Sequence, residues 1–517
     1  MTSTAANAPG GEPIALAARG VTKSYGTLVA NDNIDFTLRT SEVHALLGEN
    51  GAGKTTLMRL AFGLETPDVG HFEVFGEQCL FHEPAQAIDS GIGMVHQHFM
   101  LVPTMTVAEN IVLGQEPKSA VRHLDRRRIA RVARELGEEY GLPVNPGAKA
   151  GSLAVGEQQR VEILKALYRG AKILILDEPT AVLTKQETDQ LFEVIRRLTS
   201  MGTSVVIITH KMREVMEIAD RVSVLRHGKL VGTLNRGAAV ESELVAMMVG
   251  RRVDLNRIKE PVEVTGPVRL QVRDLEVDDA QGLRAVHGVS FEVRGGEILG
   301  VAGVDGNGQA ELVAAIAGMS RPRSGQVLVD DSVLIGGVTD AVAHGVGYIP
   351  EDRHRRGLVL PFNLAENLAL RRYRQSPITR RGWLAPRRMQ EFAAPLLRKF
   401  DVRGARESMA ASMLSGGNQQ KVVIARELEA DPGVLIAAQP TRGLDVGAIE
   451  FVHDALLEQQ REGKAILLLS MELDELRALS DRVVVMYEGR ITAELPPHAP
   501  EEEFGLAMAG ATGVLPT

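Results

Sequence analysis

The sequence has almost no cysteine, no long apolar run and no excess of basic residues. Its 517 residues include one cysteine, Cys79, which excludes a disulfide scaffold and a zinc site built from several cysteines, and fits a reducing compartment. No run of about 18 uncharged apolar residues occurs, so we expect no membrane-spanning helix. The formal net charge of -8 argues against a dedicated nucleic-acid-binding protein, which would usually be basic.

The beginning of the chain also lacks the features of a secretion signal. Residues 1–12 are small and polar and include glycine and proline, without a basic and then an apolar region, so we expect a disordered tail. The remainder exceeds a single hydrophobic core in length, and 44% hydrophobic residues is typical of globular proteins. We therefore expect two or more domains.

The chain contains two copies of one plan. Three pairs of matching segments carry the repeat: EVHALLG at 42–48 with EILGVAG at 297–303, LAVGEQQ at 153–159 with LSGGNQQ at 414–420, and DRV at 220–222 with DRV at 481–483. The offset is 255 residues at the first pair and 261 at the others, which fits a duplicated domain and is too long for a solenoid repeat. We predict domains over 13–249 and 268–517, joined by a linker over 250–267.

Both copies alternate apolar, β-rich runs with helical stretches. The runs 173–176 and 205–208 are continuously apolar, as expected for buried and mainly parallel strands. This alternation predicts an α/β fold, with ligands bound at the carboxyl ends of the strands.

The segment 48–56 fits the phosphate-binding pattern G-x-x-x-x-G-K-[ST]. Its glycines let backbone N–H groups surround phosphate oxygens, Lys54 can reach the β- and γ-phosphates, and the Thr55 hydroxyl can ligate Mg²⁺. A chance match in a glycine-rich chain is the alternative, and the strand-like run before and helical pattern after the loop disfavour it. The predicted nucleotide-binding residues here are Gly48, Glu49, Asn50, Gly51, Ala52, Gly53, Lys54, Thr55 and Thr56.

An acidic pair follows the apolar run 173–176. Asp177 stands where an aspartate could hold Mg²⁺, usually through water, and Glu178 could act as general base on the attacking water. Alone, an Asp-Glu pair after a strand is better explained as a helix cap. Together with the phosphate loop, the catalytic interpretation is the stronger one.

Three further side chains are candidates for the same site. Gln97 follows an apolar run, and its amide can contact Mg²⁺ or the lytic water. His210 follows the run 205–209 and could donate a hydrogen bond to the γ-phosphate. Tyr25 offers a ring on which adenine can stack. Taken singly, each of these residues is more often structural.

The order of these motifs resembles that of the ATP-binding-cassette (ABC) family. Aromatic residue, phosphate loop, glutamine, Leu-x-x-Gly-x-Gln-Gln, Asp-Glu and histidine follow one another as they do there, and LSGGNQQ at 414–420 looks like the family's signature. The resemblance covers nearly the whole chain, twice. It implies two tandem P-loop domains, each with a mainly parallel core sheet, an antiparallel β subdomain and a helical signature subdomain. It also implies head-to-tail packing, with each ATP between one phosphate loop and the other cassette's signature.

Compared with the family pattern, the losses fall in one of the two composite sites. In the second half Gln309, Ala310, Glu351, Ala438, Gln439 and Met471 replace Lys54, Thr55, Gln97, Asp177, Glu178 and His210. The first half has Ala154 and Thr184 where the second keeps Ser415 and Asp445. The signature of the first half would serve the phosphate loop that is already altered.

This asymmetry predicts one hydrolytic site per chain. By the resemblance its catalytic residues are Glu178, His210 and Gln97, its metal ligands are Thr55, Gln97 and Asp177, and its nucleotide contacts are Tyr25, the segment 48–56 and Ser415, Gly416 and Gly417. ATP and Mg²⁺ are the implied cofactors, and ATP hydrolysis is the implied reaction.

Two cassettes in one chain, the second with an altered nucleotide site, resemble the ATPase subunit of importers for simple sugars and nucleosides. The segments 303–309, 348–358 and 437–445 resemble the nucleoside branch, with a pentose or hexose importer as the alternative. The implied partners are two transmembrane permease subunits and an external solute-binding lipoprotein, with the segment 98–112 receiving the permease. The implied location is peripheral, at the cytoplasmic face of the membrane, without nucleic acid as a partner.

Soluble tandem cassettes that act on ribosomes or DNA are the rival class. Those in translation typically keep both sites and carry a long charged linker, and the DNA-repair members need zinc-binding cysteines. A non-catalytic ATP sensor is disfavoured because Glu178 and His210 are present. Basic clusters at 126–128, 353–356 and 371–388 are best explained as solvated faces, then as contacts with anionic headgroups or permease loops, and then as nucleic-acid contacts.

Overall fold

The computed structural model describes residues 13–26, 28–97, 99–117, 125–180, 183, 185–251, 259, 264–376, 378–380 and 383–510. The chain divides into two compact units, Met1–Val253 (unit 1) and Asp254–Thr517 (unit 2). The tail 1–12 and most of the predicted linker lie outside the described residues, so the tail and the domain boundaries stay predictions. Every helix in the described ranges is too short or too polar to cross a lipid bilayer.

Unit 1 contains ten strands and eight α-helices among its described residues. The strands are β1 (Ile14–Tyr25), β2 (Leu28–Arg39), β3 (Val43–Leu47), β4 (Val69–Val74), β5 (Glu77–Cys79), β6 (Ile92–Val95), β7 (Ile173–Asp177), β8 (Ser204–Thr209), β9 (Arg221–Arg226) and β10 (Lys229–Asn235). The helices are α1 (Lys54–Ala61), α2 (Pro84–Asp89), α3 (Val107–Val112), α4 (Arg126–Tyr140), α5 (Val155–Tyr168), α6 (Lys185–Ser200), α7 (Met212–Ile218) and α8 (Glu241–Val249).

Unit 2 follows the same plan with its own strands and helices. The strands are β11 (Val268–Asp278), β12 (Arg284–Arg294), β13 (Ile298–Ala302), β14 (Ser324–Val329), β15 (Ser332–Val333), β16 (Val346–Ile349), β17 (Thr379–Arg380), β18 (Trp383–Leu384), β19 (Val434–Ala438), β20 (Ala465–Leu469), β21 (Arg482–Tyr487) and β22 (Arg490–Leu495). The helices are α9 (Gln309–Ile316), α10 (Val338–Ala343), α11 (Leu364–Ala369), α12 (Pro386–Lys399), α13 (Gly416–Glu429), α14 (Val446–Arg461), α15 (Leu473–Leu479) and α16 (Glu501–Met508).

Each unit is built on a six-stranded core sheet and a four-stranded antiparallel sheet. The core sheet has the order β10-β9-β3-β8-β7-β6 in unit 1 and β16-β19-β20-β13-β21-β22 in unit 2. It is parallel except for the last pairing, β9 with β10 or β21 with β22. The antiparallel sheets have the orders β2-β1-β4-β5 and β12-β11-β14-β15. The predicted α/β architecture is therefore confirmed in both copies.

The core strand β7 is apolar up to its last residue, Asp177, because both faces of the sheet are covered there. In β7, Ile173 and Ile175 pack in a core cluster with residues of the antiparallel sheet and α1. Leu174 and Leu176 pack in a second cluster, with residues of α3, α5 and α6. Since successive side chains of a strand point to opposite faces, a continuous apolar run is what this layering requires.

A buried asparagine makes an equivalent hydrogen bond in the helical part of each unit. Asn110 on α3 accepts a hydrogen bond from the Val102 N–H at 2.8 Å, and Asn367 on α11 accepts one from the Val359 N–H at 2.9 Å. Both asparagines are fully buried, so each needs this partner. Asn110 therefore corresponds to Asn367, and Val102 to Val359.

Candidate nucleotide-binding site

The phosphate loop of unit 1 connects the buried strand β3 to helix α1. Gly53 caps α1 with a φ of 99°, in the left-handed region, and a Cβ at this position would lie 2.2 Å from the carbonyl oxygen of Ala30. Only glycine fits both conditions. A glycine cap has no side chain to satisfy the first N–H groups of the helix, and such groups suit an anionic phosphate.

The side chain of Lys54 lies against the loop that it follows. Its Nζ donates hydrogen bonds to the carbonyl oxygens of Gly48 at 2.7 Å and Glu49 at 2.9 Å. In unit 2 the amide of Gln309 donates to the carbonyl oxygen of Val304 at 3.1 Å, and that side chain is also buried. Unit 2 thus keeps the packing of this side chain without the positive charge that faces phosphate.

A hydroxyl and a carboxylate meet where α1 begins and β7 ends. The Thr55 hydroxyl donates to Oδ1 of Asp177 at 3.2 Å. Burial raises the pKa of the Asp177 carboxyl, and the neighbouring charge of Glu178 adds to this, whereas the Thr55 hydrogen bond opposes it. Two hard oxygen atoms at one point suit Mg²⁺. Ala310 and Ala438 provide neither oxygen in unit 2.

The carboxylate of Glu178 is held between two other predicted site residues. Its Oε1 pairs with Nδ1 of His210 at 3.2 Å, and its Oε2 accepts from the Gln97 amide at 3.1 Å. The His210 hydrogen bond is the main cause that lowers the pKa of the Glu178 carboxyl. Three residues that are far apart in the sequence therefore form one cluster at the carboxyl end of the core sheet, next to Asp177.

The backbone at Glu178 has a conformation that is rare for a residue with a side chain. Its φ is 46°, and its N–H donates to the carbonyl oxygen of Ile208 at 3.0 Å. Gln439 in unit 2 repeats this, with a φ of 43° and a bond from its N–H to the Leu469 carbonyl at 2.7 Å. The Gln439 amide in turn donates to Oε2 of Glu351 at 3.2 Å.

The two copies therefore share one contact with its partners exchanged. In unit 1 the loop after β6 supplies the amide and the residue after β7 supplies the carboxylate; in unit 2 the loop after β16 supplies the carboxylate and the residue after β19 the amide. From the sequence, the changes at 351 and 439 are two separate losses. In the structure the two changes belong to a single contact, in which the amide and the carboxylate have exchanged positions.

Tyr25 lies beside the first turn of α1. Its hydroxyl makes a short hydrogen bond to the Glu65 carboxylate and interacts with the Thr56 side chain. Burial and the Glu65 hydrogen bond raise the pKa of Tyr25 to about 12, so its hydroxyl is protonated at neutral pH. The residue is 45% exposed. It is thus near the phosphate loop and accessible.

The signature of unit 2 forms the start of helix α13. Ser415 is the N-cap, and its Oγ accepts a hydrogen bond from the Asn418 amide at 3.2 Å. A Cβ at Gly417 would lie 3.0 Å from the Cβ of Ala448 on α14, a helix that Asp445 caps by accepting from the Ala448 N–H at 2.9 Å. Gly417 therefore lets the signature helix pack closely against α14 and the loop before it.

The corresponding start of α5 in unit 1 has no serine. Ala154 is its N-cap, and Thr184 lies outside the described residues. Gly416 of unit 2 approaches the Arg353 guanidinium, where a Cβ would come within 2.8 Å. The contact that would join Lys54 to Ser415 stays a prediction.

A π-helical turn over Arg353–Gly357 lies beside the signature of unit 2. Comparing the two halves of the sequence did not predict this turn. The Arg353 guanidinium donates to the Arg442 carbonyl at 3.2 Å, and the Arg426 guanidinium on α13 donates to the Gly357 carbonyl at 2.6 Å. His354 pairs with the Gln419 side chain, also on α13, at 2.8 Å. The turn therefore braces the loop after β16 against the signature helix.

A signal for this turn is present in the repeat offset. Glu351 and Val359 are separated by three more residues than Gln97 and Val102, which flank the matching segment of unit 1. The solvated-face interpretation of this basic cluster is wrong for Arg353, which is half-buried, and holds for the exposed Arg355.

In each unit a helix capped by glycine, α1 or α9, follows the strand β3 or β13, and a pair of site residues stands at the end of β7 or β19. This repeated arrangement is that of a tandem P-loop ATPase. A family model described as ABC transporter matches residues 31–181 and 286–442. A nucleoside import ATP-binding protein (NupA) of Lactococcus lactis subsp. cremoris is 46% identical over 95% of this chain and 97% of its own length. A guanosine import ATP-binding protein (NupO) of Bacillus subtilis is 48% identical over 95% and 96%.

A glucose import ATP-binding protein of Haloferax volcanii is 43% identical over 95% of this chain and 94% of its own length. The chain therefore belongs to the ABC transporter family, as a two-cassette ATPase of the sugar and nucleoside importer group. The family membership predicted from the motifs is confirmed, and with it ATP binding. An ATPase of an importer works with permease partners.

Proposed function

We propose that this chain hydrolyses ATP at one site, formed on unit 1, to power the uptake of nucleosides. The observation that carries the single-site proposal is the cluster of Glu178 with Gln97 and His210, beside the Thr55–Asp177 pair. Unit 2 keeps only the amide–carboxylate contact, between Gln439 and Glu351, and has neither the lysine, the hydroxyl, the aspartate nor the histidine. The proposed role of unit 2 is to close the site through Ser415, Gly416 and Gly417.

The residues of unit 1 divide into groups that bind, position and react. Lys54 and the N–H groups of the segment 48–56 bind the phosphates, and Tyr25 stacks on adenine. Glu178 accepts the proton of the attacking water, and its lowered pKa keeps it ionised for that task. His210 fixes the orientation of the Glu178 carboxylate by sharing its Oε1.

Thr55, Asp177 and Gln97 would hold Mg²⁺. Among the described residues no group of three or more His, Cys, Asp or Glu side chains could bind a metal on its own, so the nucleotide would have to complete the coordination. When bound, Mg²⁺ neutralises charge on the phosphates during transfer. The oxygen atoms of Thr55 and Asp177 already lie within hydrogen-bond distance of each other, as shared ligands require.

Nucleosides are the proposed solutes, and glucose or another simple sugar is the alternative. The two nucleoside-type relatives are 46% and 48% identical to this chain, whereas the glucose-type relative is 43% identical. The proposed assembly contains two transmembrane permease subunits and an external solute-binding lipoprotein. In it the chain is peripheral, at the cytoplasmic face of the membrane, and bound to no nucleic acid.

The solute is tested by uptake in a strain that lacks this chain. We expect the wild-type chain to restore uptake of labelled guanosine and adenosine, and the Glu178→Gln variant to restore none. Labelled ribose and glucose serve as the comparison. Restoration of sugar uptake without nucleoside uptake would contradict the nucleoside proposal and leave the importer assignment intact.

Glu178→Gln tests the proposed base. We expect ATPase activity to fall about 10²–10⁴-fold, because the amide cannot accept a proton, with little change in ATP affinity. Folding should be preserved, since Gln439 adopts the same left-handed backbone in unit 2. The matched control is Gln439→Asn, because asparagine tolerates this conformation. Loss of ATPase activity in both variants to the same degree would refute a single hydrolytic site.

Gly53→Ala and Gly308→Ala form a second matched pair. The added Cβ would lie 2.2 Å from a backbone carbonyl oxygen in both, that of Ala30 or of Ala285, at a φ of 99° or 91°. We expect each variant to lose about 1–3 kcal/mol of unfolding free energy. Only Gly53→Ala should weaken ATP binding, by about tenfold or more, in a titration with a fluorescent ATP analogue. Equal weakening by Gly308→Ala would place a working phosphate loop in unit 2.

A further inference from the structure

A patch on unit 2 combines exposed aromatic and apolar side chains with arginines. We call it the Trp383 surface, and it consists of Tyr373, Arg374, Trp383, Leu384, Arg387 and Arg388. Trp383 is 81% exposed, Leu384 is 54% exposed and Tyr373 is 47% exposed. Trp383 is the single tryptophan of the chain.

The fold presents these residues on a short hairpin that leads into helix α12. Strands β17 and β18 pair Thr379 with Leu384 and Arg380 with Trp383. Ile378 anchors the hairpin, since its side chain is buried in the helical core and its carbonyl accepts from the Ala385 N–H at 2.9 Å. Helix α12 begins at the next residue, Pro386. Ile378 is therefore buried, whereas Trp383 and Leu384 are exposed to solvent.

The exposed positions of Trp383 and Leu384 are not explained by a contribution to the stability of unit 2. Strands of two residues are marginally stable by themselves, and an exposed indole adds nothing to the core. An amphipathic tryptophan ring beside a leucine is suited to the boundary between lipid and water.

The charge around the hairpin is of one sign. No acidic residue occurs between Glu366 and Glu391, and seven arginines do, although the whole chain has a net charge of -8. Arg371 and Arg372 are paired with Glu427 and Glu429. Among the described residues no carboxylate forms an ion pair with the side chains of Arg374, Arg387 or Arg388, all of which are exposed. These three are available to an anionic partner.

We propose that the Trp383 surface binds the anionic headgroup layer of a phospholipid membrane. Arg374, Arg387 and Arg388 contact lipid phosphates, and Trp383 and Leu384 enter the interface. The exposed Leu384 beside the indole favours a surface with an apolar interior over a nucleic acid, whose bases stack on indole rings but give an aliphatic side chain no apolar interior. A lipid surface also supplies many anionic groups to arginines that have no acidic neighbours. The inference depends neither on the solute nor on the permease.

The single tryptophan makes the test direct, because all indole emission of the full chain comes from Trp383. We expect a blue shift on addition of vesicles of mixed phosphatidylglycerol and phosphatidylcholine, and no shift with phosphatidylcholine alone. Raising the salt from about 0.1 M to about 1 M shortens the screening length from about 10 to about 3 Å and should reverse the shift. Co-sedimentation with the same vesicles measures the affinity.

Variants separate the Trp383 surface from general basic attraction. Each arginine near an anionic membrane is worth about fivefold in affinity, so Arg387→Gln with Arg388→Gln should weaken co-sedimentation about 25-fold. The matched control is Arg127→Gln with Arg128→Gln, at the start of α4, where both arginines are exposed as Arg387 and Arg388 are. In each helix the next residue, Ile129 or Met389, is buried. The control pair should change affinity less than about twofold.

Trp383→Ser should also weaken co-sedimentation, without affecting the secondary structure measured by circular dichroism. Equal emission shifts with neutral and anionic vesicles would overturn the proposal, and so would equal weakening by the control pair. Absence of vesicle binding, with binding instead to RNA or to isolated permease, would assign the surface to that partner and reject the lipid. ATPase activity is measured in parallel without vesicles. A failure of membrane binding can therefore be distinguished from a failure of the proposed hydrolytic site.

Discussion

Both units depend on one backbone position, the residue that follows strand β7 or β19, which lies next to the edge strand β6 or β16 of the core sheet. There the chain turns through a left-handed conformation, and its N–H is bound to the neighbouring strand at Ile208 or Leu469. Such a conformation is unfavourable for any residue except glycine and persists only where surrounding contacts impose it. It directs the side chain of Glu178 or Gln439 toward the loop after the outer strand, where the amide–carboxylate contact forms.

The exchange of partners across that contact explains how unit 2 keeps the same local shape with different side chains. A glutamine and a glutamate meet in both units at nearly the same distance, 3.1 and 3.2 Å. Gln309 likewise takes over a hydrogen bond that Lys54 makes in unit 1. Gln309 and the Gln439–Glu351 pair therefore keep equivalent hydrogen bonds, whereas Ala310 and Ala438 leave unit 2 without the hydroxyl and the carboxylate of Thr55 and Asp177. The π-helical turn braces the signature helix of unit 2 by contacts that involve none of these replaced side chains.

The sequence was sufficient to predict the α/β architecture, the duplication and the residues of the cluster, because each depends on local pattern or motif order. Continuous apolar runs identify strands that are covered on both faces, and the phosphate loop is identified by its glycines and lysine. It was insufficient for the left-handed backbone at Glu178, since nothing in an Asp-Glu pair specifies φ. The brace at Arg353 and the exposure of Trp383 were also missed, because they depend on which helix an inserted turn or hairpin meets. The inserted turn at Arg353 was visible only as a change in the repeat offset.

The most direct test of the account counts the nucleotides trapped during hydrolysis. The full chain, assembled with its permease, would be incubated with Mg²⁺, vanadate and a photoreactive, radiolabelled 8-azido-ATP, then irradiated and cleaved between the two units. A single hydrolytic site beside Tyr25 and Lys54 predicts one trapped nucleotide per chain, with the label on the fragment of unit 1. Two trapped nucleotides per chain, or label shared equally by the two fragments, would contradict it.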